Sequence, residues 1–305
     1  MKHIFGPVNS RRFGLSLGVD LSPQEKCCNF DCLYCELGGA KPKQEISNPS
    51  PPKTIAAEIE MALKRFENIE VITLTANGEP TLYPYLKELI EKIEKIKKGS
   101  KSLILTNAST LWKESVRDSL YSIDMVKLSL DAARAKSFKK IDRPIKGFDF
   151  EKALEGVKIF AKNYQKELYI EVLVVEGVND TPEEFEALNE IIKELSPLRV
   201  DVGTVDRPPA YKINGVDYQK LLKLSELIEA APVSIVHRKK ERARKLSLDY
   251  SEILRMLKRR PLESEDIEAL FDRNSKEKLK KLINRGEIIQ KRVGNLIFYG
   301  LRIDK

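Results

Sequence analysis

The chain has 305 residues, 42% of them hydrophobic, and a formal net charge of +8. That length suits one large domain with a small one attached, and the composition allows a sizeable core. It holds no run of 18 apolar residues, which excludes a membrane-spanning helix. The start, MKHIFGPVNSRR, lacks the apolar centre of a signal peptide, so a cytoplasmic protein is expected.

In chain order the apolar runs GLSLGVDL, VITLTA, SLILTN, MVKLSL, LYIEVLVV, VDVGTV and VSIV read as strands. Each is short, rich in Val, Ile and Leu, and bounded by turn residues. Near-continuous apolar runs of this kind belong to parallel sheets buried on both faces. Between them, helical periodicity covers 53–66, 84–97, 111–120, 150–163, 182–195 and 218–230, the fifth opened by Thr181 and Pro182. About six βα units predict an α/β fold, a partial (β/α)6-type TIM barrel over residues 1–237. A doubly wound sheet is the competing architecture, but no GxGxxG follows any strand.

The pattern then changes. RKKERARK, residues 238–245, reads as a linker. Helices follow over 249–260, 264–271 and 275–285, the second capped by Ser264, the third by Ser275 and stopped by Gly286. IIQKRV and LIFYGL flank Gly294-Asn295, a hairpin signal. Three helices and a hairpin resemble a winged helix-turn-helix, with Lys276, Lys278, Lys280, Lys281 and Arg285 on its recognition helix. Residues 238–305 carry 20 Lys and Arg against 11 Asp and Glu, whereas the rest hold 34 against 35. A basic tail on a near-neutral body suits an acidic partner such as nucleic acid. A solvated surface or a protein-docking appendage is the plain alternative.

All four cysteines, Cys27, Cys28, Cys32 and Cys35, lie in KCCNFDCLYCELGG. In a reducing compartment such a cluster points to a metal site rather than to disulfides. Structural zinc usually takes two Cys pairs from separate turns, for which nine residues leave little room. Three thiolates spaced CxxxCxxC can instead hold three irons of a [4Fe–4S] cube and leave the fourth open, since no remote Cys closes it. Adjacent cysteines point apart on an extended loop, so Cys27 is the spare thiol. His3 and His237 form no HxxH or HExxH pattern, and neither GxSxG nor a P-loop is present.

CxxxCxxC with Tyr34 before its last Cys, on the loop after a first barrel strand, resembles the radical S-adenosylmethionine (SAM) superfamily. Further motifs follow in order. Asn77-Gly78-Glu79-Pro80-Thr81 resembles GGEP, with Asn for the first Gly. Thr106-Asn107-Ala108-Ser109 is similar to TNG, and Lys127-Leu128-Ser129-Leu130-Asp131-Ala132 to the S-L-D strand. Val175-Glu176-Gly177-Val178-Asn179-Asp180 resembles the segment bordering adenine. GPVNSRRFGLSLGVD and Asp206-Arg207-Pro208-Pro209 look like a less characterised branch, loosely similar to wyosine-type tRNA-modifying enzymes.

The resemblance implies a [4Fe–4S] cluster on Cys28, Cys32 and Cys35, with SAM chelating the open iron through its amine and carboxylate. Gly78, Glu79 and Pro80 would receive the amine. Asn107, Ser129 and Asp131 would meet the carboxylate and ribose, and Tyr34, Val178 and Asn179 the adenine. One electron from a flavodoxin- or ferredoxin-type partner would release a 5′-deoxyadenosyl radical that abstracts hydrogen from substrate. With no cysteine left for an auxiliary cluster, peptide-modifying and methylthiolating branches that carry one fit less well. The basic tail favours tRNA or another nucleic acid as substrate. Modification of a peptide or protein is the alternative; so is an iron–sulfur electron carrier or nucleic-acid-binding regulator without catalysis. Arg11, Arg12, Lys127, Asp142, Arg143 and Arg207 are further candidates for contact with substrate, or ordinary rim residues.

Overall fold

A computed structural model describes residues 1–10, 12–235, 245–259, 262–293 and 296–301. Arg11, Val236, His237, the stretch 238–244 expected as a linker and Gly294-Asn295, expected as a hairpin turn, lie outside these. Strands β1 (Ile4–Ser10), β2 (Gly14–Asp20), β3 (Val71–Thr75), β4 (Lys101–Thr106), β5 (Met125–Ser129), β6 (Glu167–Val174), β7 (Arg199–Thr204) and β8 (Val233–Ile235) form one sheet in chain order. β1 runs antiparallel to β2, and β2 to β8 are all parallel. The crossovers carry α1 (Pro52–Arg65), α2 (Leu86–Ile96), α3 (Glu114–Leu120), α4 (Ala135–Ile141), α5 (Phe150–Asn163), α6 (Pro182–Leu195) and α7 (Tyr218–Ser225). β1 and β8 remain edges, so the sheet is open, as in a partial barrel.

The strands have two unlike faces, because successive side chains alternate. One presents Leu17, Val19, Ile72, Leu74, Ile104, Val126, Leu128, Ile170, Val172, Val200 and Val202, all buried in the main core. Ile55 and Ile59 of α1, Leu89, Ile90 and Ile93 of α2, Phe160 of α5 and Leu188 of α6 cover it. Burying each such side chain contributes about 1.5–3 kcal/mol. The other face carries Ser16, Thr73, Lys127, Ser129, Glu171 and Asp201, with Val71, Leu103, Met125 and Tyr169 plugging its lower end around Phe13. Mostly polar, it is the face on which chemistry can be built.

Among the departures from the sequence reading are three in the main sheet and its crossovers. β1 was not expected, since Gly6-Pro7 breaks its pattern; as an edge strand with a bulge between Phe5 and Val8 it tolerates Pro. α4 is a seven-residue helix with no side-chain cap. α3 begins at Glu114 rather than near residue 111, because Leu111 and Lys113 are held in turns by the carbonyls of Ala108 and Thr110.

Beyond the linker come α8 (Tyr250–Arg259), β9 (Leu262–Glu263), α9 (Ser264–Leu270), α10 (Arg273–Asn284), β10 (Ile288–Val293) and β11 (Leu296–Leu301). These last strands form an antiparallel sheet ordered β10-β11-β9. They enclose a separate core around Ile253, Met256, Leu257, Leu262, Phe271, Leu279, Leu282 and Phe298. Ser275 does not cap α10. Asp272 does, accepting from Ser275 N, while the buried Ser275 hydroxyl bridges Leu246 O and Leu248 N. Val8 of β1 packs on this core, and Arg65 at the end of α1 pairs with Glu252 at 2.6 Å.

Candidate cluster and cofactor site

The connection from Asp20 to Pro52 contains neither helix nor named strand. It is sewn instead to the C-terminal end of β3. Cys27 N donates to Asn77 O at 2.8 Å, and Glu79 N to Cys27 O at 2.9 Å. Gly78 sits at φ +137, where a Cβ would stand 1.8 Å from the Cys27 carbonyl oxygen. Glycine is therefore required here for the approach of the cysteine loop itself, not only for a ligand.

The four thiols differ in burial. Cys27 is fully buried in the main core and donates its Sγ to Glu45 O at 2.9 Å. Cys28, Cys32 and Cys35 are half-buried and lie within electrostatic reach of one another. Cys28 Sγ accepts from Phe30 N at 3.4 Å and Asn107 Nδ2 at 3.7 Å, Cys35 Sγ from Lys26 Nζ at 3.1 Å, and Cys32 donates to Asp142 Oδ1 at 3.2 Å. Burial, with Glu79 adding to it, pushes the free Cys28 thiol up to about 12. A metal must displace that proton, because the thiolate is the ligand. Among the described residues no three Cys, His, Asp or Glu side chains gather as ligands to a single ion. Three partly exposed thiols on one short loop, N–H donors beside two of them and a fourth thiol buried elsewhere fit a multi-iron cluster with three protein ligands.

Glu79 is buried and fully engaged within the protein. Its Oε1 accepts from Thr81 N, Thr81 Oγ1 and Thr106 Oγ1 at 2.9, 2.6 and 2.6 Å, and its Oε2 from Asn107 N at 2.7 Å. Burial pushes its pKa upward against those bonds. Glu79 thus fastens the end of β3 to the end of β4 and aims Asn107 at Cys28. Pro80 begins a 3-10 turn over Pro80–Leu82.

Asn107, Ser129 and Asp131 line one cavity with Asp142 and the rings of Phe30, Phe138, Phe148 and Phe150. Asp131 accepts from Leu173 N at 2.7 Å and from the Tyr34 hydroxyl. Burial pushes Asp131 up to about 7, and burial together with repulsion from Asp131 raises Asp142 as well. Val178 packs with Cys28, Cys32 and Tyr34 on one aromatic cluster. Asn179, like Glu79, is taken up within the protein. Fully buried, its amide donates to Asp131 O and Leu173 O at 2.7 and 2.9 Å and its Oδ1 accepts from Val175 N. Its side chain locks the loop after β6.

Two groups were missed or only partly seen. On the polar face Arg12 bonds Glu171 at 2.7 Å and Asp201 at 3.1 Å, Lys127 bonds Glu171, and Arg199 bonds Asp201 at 2.7 Å. The signal was available: a Glu and an Asp in the middle of apolar strands are costly unless paired. On the rim, Tyr211 donates to Asp31 at 2.5 Å under the Arg143 guanidinium, and Arg207 bonds Glu36 at 2.6 Å. The loop after β7 is thereby tied to the cysteine loop.

An open, mostly parallel sheet bearing a three-thiol loop at its strand ends defines a cluster-dependent enzyme class. The chain belongs to the radical SAM superfamily, whose model matches residues 26–192. It is 43% identical to a UPF0026 protein of Helicobacter pylori strain J99 over 298 residues, 97% of this chain and 96% of that one. It is 26% identical over 240 residues to the S-adenosyl-L-methionine-dependent tRNA 4-demethylwyosine synthase of Schizosaccharomyces pombe, covering 70% of this chain and 34% of that one. A solved structure of TYW1 with a lysine-pyruvate adduct shares the fold, with TM-score 0.54 and 21% identity over 70% of this chain and 72% of that chain. Membership implies an enzyme of SAM-dependent radical chemistry with a [4Fe–4S] cluster. Among the described residues no helix is long and apolar enough to cross a membrane.

Proposed function

We propose that the chain is a cytoplasmic radical SAM enzyme that modifies RNA, tRNA foremost. The division of the four thiols supports the catalytic part of this reading: Cys27 is buried and spent on Glu45 O, while Cys28, Cys32 and Cys35 are partly exposed and within electrostatic reach of one another. Cys28, Cys32 and Cys35 would hold the cluster. Asn107, Ser129 and Asp131 would hold SAM beside the Gly78-Glu79-Pro80 turn, in which Glu79 positions Asn107 and Gly78 admits the cysteine loop, with Tyr34 and Val178 as apolar wall and Asn179 fixing the loop that carries Val178. When bound, cluster and SAM supply a 5′-deoxyadenosyl radical after reduction by a flavodoxin- or ferredoxin-type protein. The chain's own part is to place Asn107 and Lys26 beside sulfur, to exclude water with the Phe30–Phe138–Phe148–Phe150 rings, and to present Glu171 and its partners to substrate below Ser129.

The RNA part rests on two supports. A relative acts on tRNA, and the basic excess of residues 238–305 falls on a segment whose described helices and β10-β11-β9 sheet follow the order of a winged helix. The decisive experiment is anaerobic reconstitution, reduction and addition of SAM, with 5′-deoxyadenosine as readout. Wild type should form it, and Cys28→Ala, Cys32→Ala or Cys35→Ala should lose both cluster absorbance and product. An intact cluster that never cleaves SAM would leave an electron carrier or regulator. Comparing tRNA nucleosides from a deletion strain with wild type tests the substrate; an unchanged profile would turn the reading toward a peptide.

A further inference from the structure

The five cations expected on the recognition helix do not all face outward. Lys276 is taken up by Glu268, and Lys278 Nζ donates to Leu248 O at 2.8 Å. Arg285 is exposed, but lies against the Tyr250 ring, 5.5 Å from its centroid, and 3.9 Å from Glu287. Lys280 and Lys281 are exposed on α10, on one side with the exposed Arg273, Glu277 and Asn284. Their spacing of i, i+4, i+7, i+8 and i+11 puts them on one stripe. Arg273 is 96% exposed, with only a 3.5 Å surface pair to Glu277. Three cations against one anion, with an amide at the end, is a surface for phosphate oxygens.

The attachment of this unit fixes where a bound strand lies. Val8 pairs with Ser16, in the half of β2 away from the cysteine loop, and Arg65 is the last residue of α1. α1 starts at Pro52, where the cysteine segment returns, so its 14 residues span about 21 Å between the site end and the Glu252 contact. The unit is therefore fastened at the opposite end of the strands from the cluster site.

We propose that the α10 stripe of Arg273, Lys280, Lys281 and Asn284 grips the phosphate backbone of the RNA substrate away from the reacting nucleotide, as a sequence-independent handle on an extended molecule. This deepens the RNA reading above and rests on it for the choice of RNA. The test uses the full chain with bulk tRNA, binding being measured across a salt series. Lys280→Gln/Lys281→Gln should bind roughly 10-fold more weakly or worse, with a salt slope shallower by about two. The same variant should keep its unfolding midpoint and its SAM cleavage without RNA, since both lysines are exposed and remote from the thiols. Arg273→Gln should add a further loss. Equal affinity and slope for wild type and variants would overturn the stripe while leaving RNA as substrate. A wild-type chain that binds no tRNA would overturn both. Tighter binding of duplex DNA than of tRNA would also overturn the assignment to RNA.

Discussion

At the scale of single residues the informative one is Cys27, because it looks like a ligand and is not placed as one. Its sulfur lies in the hydrocarbon core and satisfies a backbone carbonyl. Serine at this position still offers an O–H to Glu45 O. Cys27→Ser should therefore keep the iron content and cluster spectrum of wild type, whereas Cys28→Ser should not. Cys27→Ala would strand the carbonyl, at about 1–3 kcal/mol; urea unfolding of the apo chain measures that loss. A cluster lost from Cys27→Ser alone would mean that four thiols are needed. His3 gives a pH prediction. It is buried, with Ser50 Oγ 2.8 Å from Nε2 and Glu58 Oε1 3.3 Å from Nδ1. Burial lowers its pKa below 6.5 against the opposing pull of Glu58. The unfolded chain then binds the proton first, so this contribution to stability is complete above pH 6.5 and is lost as pH falls through the folded value. Unfolding free energies at pH 7.5 and 5.5 should drop more steeply toward acid for wild type than for His3→Gln.

At the scale of elements, what could be read from the sequence was the face that touches hydrocarbon. The seven parallel strands and the crossover helices announce themselves because Val, Ile and Leu recur with the period of each element. The polar face could not be read in the same way. Lys127, Glu171 and Asp201 stand on three different strands and only the registers of β5, β6 and β7 bring them together. Lys127 was a candidate, but its partners come from 44 and 74 residues further on. The motifs told which residues border the site, not what their side chains do: Glu79 and Asn179 are occupied by loops, and Gly78 serves the cysteine backbone. Glu171 is where this face can be tested. Burial opposes its ionisation, but Lys127 and Arg12 outweigh it and bring it down to about 2. Glu171→Gln leaves the buried Lys127 with Asp201 at 3.6 Å. Removing one partner of a fully buried pair costs about 3–5 kcal/mol, and the one-third exposure of Glu171 makes the expected loss smaller. In a double-mutant cycle with Lys127→Met the two losses should fall short of adding, while iron content stays that of wild type. Strict additivity would show that the pair is not coupled.

At the scale of the whole molecule, the described residues of the two cores meet where α8 packs on β1 and the end of α1, and the strength of that contact decides whether the C-terminal unit moves with the barrel. Val8 and the Arg65–Glu252 pair are its named parts. Glu252 holds more than Arg65. Its Oε2 also accepts from Asp249 N at 2.8 Å, at the start of α8, and its side chain is only 6% exposed. Glu252→Ala should therefore unfasten the unit and fray α8 at once, costing about 1.5–3 kcal/mol for a charged hydrogen-bonded group. The loss belongs to the C-terminal core alone, so unfolding should separate into two transitions. Amide exchange should quicken in residues 246–300 and stay unchanged in β2 to β7. SAM cleavage without RNA should be that of wild type, because no part of the thiol loop or of the Asn107–Asp131 cavity touches this contact. RNA affinity should also survive, since the α10 stripe remains on a folded unit. What should fall is RNA-stimulated cleavage: a handle that swings no longer fixes the distance between gripped phosphates and the site. Equal loss of binding and of stimulation would instead assign the grip to the contact region itself.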